Sequence, residues 1–211
     1  MGAQPPPVQG EEAFVPLEVG PGGVVPPARR FRSTMIGASV LTLRTLGRFD
    51  AYIKHVPAEH RETILGSVAG TWLDYQVGVA HYRAADALGL TNEEQLEIGR
   101  DVGRRVHATI FGTMAKLART AGVTPWTGLA QQRRLWSGTI DGGAVAVYKL
   151  GPKEARFEAH GVPELVAIPY FRNAFRGIYV RGSELFCKKM YVSEISSFTR
   201  RGIIAYRLAW V

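Results

Sequence analysis

The spacing of apolar positions divides the chain into two texts. From Ser33 to Trp136 the apolar residues recur at helical intervals, and from Thr139 onward the period shortens to two. Met35, Ile36, Leu43, Leu46, Phe49 and Ile53 mark a first helical stretch, broken at Gly47, with Pro57 opening the next segment. A glycine hinge near Gly66 to Gly70 precedes a helix expected from about Trp72 to Leu88. Thr91 and Glu94 then stand in capping-box positions at the head of a long helix expected to stop at Gly122. The stripe of that helix runs through Leu96, Gly99, Gly103, Val106, Ile110, Leu117 and Ala121, and its small-x-x-x-small pair predicts a second helix packed closely on it. Thr124 and Pro125 cap a further helix ending near Trp136.

In the C-terminal third, Asp141-Gly142-Gly143 and Gly151-Pro152 are turns flanking the strands "AVAVYKL" and "ARFEAHG". Phe157 and Ala159 point one way and Arg156, Glu158 and His160 the other, which predicts a sheet with one wet face. A helix between Pro169 and Gly182 follows, then "CKKMYVSEI" and "GIIAYRLAWV", the last with Ile204, Tyr206, Leu208 and Trp210 on one side. The expected fold is α+β: a helical half over 29–136, then a four-stranded antiparallel sheet over 137–211 in the order strand, strand, helix, strand, strand. These form a single domain over 29–211. Residues 1–28 carry seven prolines and five glycines and read as a disordered tail whose removal leaves folding intact.

Charge changes the picture in the last third alone. The net charge is +8, and residues 133–211 hold 13 basic against 6 acidic side chains while residues 1–132 hold 13 against 12. Twenty of the 26 basic residues are Arg, which favours planar, paired contacts over diffuse attraction. Cys187 is the only cysteine, so an intrachain disulfide is excluded, and a reducing, cytoplasmic setting is expected. No run of about 18 apolar residues that would span a bilayer occurs.

The stretch "IPYFRNAFRGIYVRGSELFCKKMYV" interleaves arginines with aromatics. On a helix, Phe171, Phe175 and Ile178 form one side, and Asn173, Ala174 and Gly177 make a small-residue path that would let the helix lie close to the sheet. Arg172 and Arg176 stand four apart on another face beside Tyr179. Two readings remain open for that pair: a solvated outer face with local acid partners such as Glu164, or a clamp for an anion.

This order of elements resembles the 4-vinyl-reductase type of domain, related trafficking-complex subunits, haem-based nitric-oxide sensors, and a set of uncharacterised myxobacterial paralogues. Trp136, Gly151-Pro152 and Arg207 with Trp210 carry the resemblance over about residues 32–211. It implies a small-molecule sensor or assembly module. The haem sensors further imply a helical His as iron ligand and a downstream Tyr-x-Ser-x-Arg for the propionates. His107 lies on the long helix, but "RRLWSGTI" offers Trp136 near the tyrosine position, no such triad, and neither Arg133 nor Arg134 in the required order. No haem, other cofactor or metal is therefore expected.

Catalytic motifs are missing: no G-x-x-x-x-G-K-[ST], no G-x-S-x-G, no H-E-x-x-H. His55 and His60 flank Pro57 as a helix junction rather than a metal pair, and Cys187, beside Lys188 and Lys189, would need His160 as its base. The expected function is non-catalytic: a regulatory or assembly module binding a small apolar or amphipathic ligand, or a protein partner, between helical half and sheet. Trp72, Tyr75, Tyr82, Phe111, Trp136 and Phe171 are its candidate lining, with Arg172 and Arg176 orienting an anionic group. The alternative is a polyanion or nucleic-acid binder using Lys149, Arg156, Lys188, Lys189 and Arg207. Nothing in the sequence excludes a homodimer.

Overall fold

The structure, a computed structural model, describes residues 12–110 and 123–211, the side chains of 107–110 excepted. The helical half comprises α1 (Ser33–Thr45), α2 (Phe49–His55), α3 (Ala58–Gly66), α4 (Tyr75–Asp86), α5 (Asn92–Ile110), α6 (Pro125–Leu129) and α7 (Gln132–Thr139). At the heads of α4 and α5, side chains satisfy free backbone donors. Asp74 accepts from Gln76 N–H at 2.8 Å to start α4, and Thr91 and Glu94 cap α5 reciprocally at 3.3 and 2.8 Å, as their spacing predicts. The expected end of the long helix at Gly122 lies outside the described residues.

The second half supplies β5 (Ala144–Gly151), β6 (Glu154–His160), α8 (Pro163–Val166), α9 (Pro169–Ser183), β7 (Met190–Glu194), α10 (Ser196–Thr199) and β8 (Ile204–Trp210). Strands β5 and β6 pair as the Gly151-Pro152 turn dictates, with Val147 opposite Phe157. Their inner residues, with Ile204, Tyr206 and Leu208 of β8, form the floor of the core. Helix α9 crosses that floor, and the Tyr206 hydroxyl donates to the Arg172 carbonyl at 2.7 Å.

The four-stranded expectation falls short by one strand. Residues Glu12–Val15 form β1, antiparallel to β5, so the sheet runs β1-β5-β6-β8-β7. A second sheet joins β2 (Arg30–Arg32) to β3 (Trp72–Asp74) and β4 (Ile140–Asp141), which shows that Trp72 belongs to a strand and not to the head of a helix. The tail reading is thus corrected for residues 12–28. Pro26 O accepts from Gly143 N–H at 2.8 Å and Gly161 O from Ala28 N–H at 2.8 Å. Gly142 sits at φ 86, where a Cβ would stand 2.2 Å from Pro27 O, so glycine is needed there for both conformation and space.

The wet face predicted for β6 is also overturned. Arg156, Glu158 and His160 are 6%, 5% and 8% exposed. Arg156 Nε donates to Glu158 Oε1 at 2.7 Å, His160 Nε2 lies 2.9 Å from Oε2, and the guanidinium rests over Tyr148 and Phe198. Burial pushes the Glu158 carboxyl up, but the bond from His160 and the Arg156 charge outweigh it and hold it below the usual range. The neighbours of Glu158 across the sheet are Ala146 and Ala205, too short to displace it, and α10 brings Phe198 over Arg156.

Candidate functional site

Among the described residues, two helices with facing stripes border the main cavity, which is open on one side. On α7, Gln132, Leu135, Trp136 and Thr139 recur at i, i+3, i+4, i+7, and on α9 Phe175, Ile178, Tyr179 and Gly182 do the same. With Met35, Val106, Leu129, Phe186 and Met190 they surround about 100 Å³ of space between helical half and sheet. Its polar groups are already engaged: Tyr179 donates to Gln132 Oε1 at 2.6 Å, Thr139 Oγ1 to Trp136 O at 2.9 Å, and Ser183 Oγ to Val180 O at 2.7 Å. Burial drives the Tyr179 hydroxyl well above its ordinary pKa, so it stays neutral. Such a site offers dispersion and apolar contact but no charge.

Trp136 is held in this wall by Nε1–H donation to Gly142 O at 2.9 Å. Tyr82 and Phe171 line a different space, a neighbouring void of about 10 Å³ with Ser39, which shares Phe175 and Ile178 with the main cavity. Trp72 lies apart, in the small sheet, beneath the Arg32 guanidinium 3.8 Å above its ring. Tyr75 is buried at the head of α4, its hydroxyl raised in pKa by burial, and lines neither cavity. Phe111 lies outside the described residues. The predicted aromatics are therefore divided among separate places, and the lining residues that matter most, Phe175, Tyr179, Leu129 and Phe186, were not among them.

Of the first reading of the arginine pair the structure keeps an acid partner, Glu194 rather than Glu164, but not the solvated face. Arg172 is half-buried, donating Nε–H to Glu194 Oε1 at 3.0 Å and Nη1–H to Val166 O at 2.5 Å, while Arg176 turns to Asn173 Oδ1 at 3.2 Å. The two are neither a solvated face nor a convergent clamp. Asn173 in turn donates to Gln95 Oε1 at 2.8 Å and Asn92 Oδ1 at 3.0 Å, tying α9 to α5. The small-residue path of α9 accordingly faces α5, not the sheet, and it is the aromatic side that meets the sheet at Phe157 and Tyr206.

These contacts set a paired expectation. Phe175→Ala removes a ring that already borders empty space, so it should destabilise by about 2 to 3 kcal/mol, just under the ~3 to 5 kcal/mol of a sealed site. Arg172→Gln should cost about 1 to 2 kcal/mol through its charged hydrogen bonds. Denaturant unfolding measures both, and an Arg172 variant as stable as the parent would return that side chain to solvent.

Other sequence candidates stay separate. Cys187 is half-buried and donates to Ser183 O at 3.5 Å, burial raising its thiol pKa, which is the environment of an inert cysteine. Among the described residues no cluster of His, Cys, Asp and Glu could hold a metal ion, and no helix is long and apolar enough to cross a membrane.

No family model matches the chain, and no curated protein matches it in sequence. Solved structures do match in fold. An oxygen-binding H-NOX domain related to soluble guanylate cyclases aligns over 85% of this chain and 94% of its own, at 15% identity and TM-score 0.52. A variant of the Cs H-NOX carrying 4-cyano-L-phenylalanine aligns over 85% and 96%, at 16% identity and TM-score 0.53. A variant of T. tengcongensis H-NOX aligns over 85% and 97%, at 16% identity and TM-score 0.51. At these identities the likeness is one of fold.

Proposed function

We propose that this protein is a non-catalytic regulatory module that binds a small, uncharged, apolar ligand between its helical half and its sheet. The observation that carries this reading is the cavity of about 100 Å³ walled by Trp136, Phe175, Tyr179 and Leu129, in a position where two helical stripes face each other without filling the space. Cores normally close such gaps, because each unfilled volume forfeits dispersion contacts. A void of about 150 Å³ with similar walls takes up benzene, so one ring is the right scale here.

The structural neighbours raise haem as a ligand, since work on them concerns haem redox potential and haem distortion. The described residues do not fit a porphyrin. The cavity is several-fold smaller than the ~300 to 1,000 Å³ of ordinary cofactor pockets, and its described lining contains no His or Cys to meet iron and no Arg or Lys to meet propionates. His81 is buried elsewhere against Tyr52, and the His107 side chain lies outside the described residues. Haemin added to the purified protein is expected to produce no Soret band above that of free haemin. A band lost in His107→Ala would overturn this.

Polyanion binding has less support, because three of the five basic residues named for it are paired, Lys188 and Lys189 being the exposed remainder. Lys149 lies 3.8 Å from Glu12, Arg207 bonds to Glu154, and Arg156 is buried against Glu158. The ligand reading is tested by thermal unfolding with and without toluene, alongside native mass spectrometry of the protein as purified. Toluene should raise the midpoint, since a ligand for the folded state alone stabilises it by mass action. Filling the cavity with Thr139→Leu should abolish that rise, and an undiminished rise in the variant would place toluene somewhere else.

A further inference from the structure

The outer side of the cavity wall is fastened by a segment that the sequence presents as a loose tail. Helices α6 and α7 line the cavity with Leu129, Gln132 and Trp136, and on an adjoining face they meet residues 12–28 through Trp126 and Arg133. Phe14 packs edge-on against Trp126 with ring centres 4.9 Å apart. Arg133 pairs with Glu18 at 2.8 Å and donates to Pro16 O at 2.9 Å. Further along, Pro26 bonds to Gly143 and Pro27 lies on Gly142, whose carbonyl holds the Trp136 indole.

We propose that residues 12–28 are a latch on this wall, so that seating of the latch and entry of any ligand larger than the resting cavity oppose each other. The inference rests on the ligand reading above and adds its regulation. Three features carry it. The wall helices are short, of 5 and 8 residues, and turn adjoining faces to the cavity and to the latch, which Trp126 and Arg133 meet. The resting volume admits about one ring, and a two-ring ligand that moves α6 and α7 outward works directly against the contacts of Phe14 and Arg133. The latch is thinly seated at its head: β1 has four residues at a sheet edge, and Phe14 and Glu18 are exposed, so this end is the part that ligand entry can release. Coupling of this kind is reciprocal, since whatever the ligand does to the latch the latch does to the ligand.

The test uses two uncharged probes on the full chain and on a loosened form, Phe14→Ser with Arg133→Gln, neither residue lining the cavity. Fluorobenzene, followed by fluorine NMR, fits the resting volume and should bind both forms within twofold. N-phenyl-1-naphthylamine, followed by its fluorescence, should bind the loosened form at least tenfold more tightly. Equal affinity of the larger probe for both forms overturns the latch and leaves the ligand reading standing, and so does weaker binding of both probes to the loosened form, which would make the segment a structural brace. Failure of N-phenyl-1-naphthylamine to bind either form overturns the latch, and failure of both probes to bind either form overturns the ligand reading with it. Should the loosened form not fold, the parent chain suffices: saturating N-phenyl-1-naphthylamine should speed amide exchange at Ala13 and Val15 several-fold, and unchanged exchange under saturation overturns the proposal.

Discussion

Gly177→Ala should destabilise the protein by more than about 3 kcal/mol, although alanine is intrinsically the better helix residue by about 1 kcal/mol. A Cβ at Gly177 would stand 2.1 Å from the Leu96 carbonyl oxygen, and one at Gly99 would stand 1.9 Å from that of Ala174. The two glycines are reciprocal, each admitting the other helix's backbone, so α5 and α9 touch main chain to main chain. A flexible side chain can rotate away from an added methyl group, but a helical carbonyl moves only with its helix. The cost therefore exceeds the ~1 to 3 kcal/mol usual for overpacking. The control is Gly37→Ala on α1, where nothing lies within 4 Å of the added carbon and the backbone is already helical. That change should stabilise by up to about 1 kcal/mol. Denaturant melts of the pair give opposite signs, and a Gly177 variant that gains stability as Gly37 does would mean that the helices stand apart.

That crossing was legible as two small-residue paths, one on each helix, before either partner was known. The sequence could not say that the paths face each other, because a small residue permits close approach without naming what approaches. The same limit applies to β6, where alternation of Phe157 and Ala159 with Arg156, Glu158 and His160 predicted the two faces correctly. Whether the polar face is wet depends on Phe198, about forty residues away, and no local period reports it. β1 was missed for a related reason. "EAFV" is too short to show a period and sits among prolines and glycines, while its partner β5 lies on the far side of the helical half. The cavity is the sharpest case. The stripes through Gln132 to Thr139 and Phe175 to Gly182 are visible at helical spacing, yet a stripe that meets a void reads the same as one that meets a filled core. Only the volume between them separates a wall from a site, and volume is a property of the assembled fold.

Acid should unfold this protein earlier than its carboxylates alone would, and His81 is the reason. The imidazole is fully buried on α4, sharing a 2.7 Å hydrogen bond between Nδ1 and the Tyr52 hydroxyl, with Nε2 buried and unpartnered. The rings of Tyr52 and Tyr82 pack edge-on around it, so no counter-charge is at hand. Desolvation therefore lowers its pKa from 6.5 to about 3. The folded state keeps His81 neutral through a range in which the unfolded chain is protonated, so unfolding takes up one proton between about pH 6.5 and pH 3. Stability from this group is fully present above pH 6.5 and falls as the pH drops through that window, by about 1.4 kcal/mol per unit. Over the whole window the loss is on the order of several kcal/mol, comparable to the net stability of many domains. His81→Leu removes the titration at nearly constant volume, leaving the Tyr52 hydroxyl short of its partner, so the variant should be less stable at pH 7.5. Its stability should nonetheless decline less steeply toward pH 4, the slope falling by one proton. Urea unfolding at half-unit pH steps on both proteins measures the two slopes, and parallel slopes would show that the buried imidazole already carries its proton or that acid acts elsewhere in the fold.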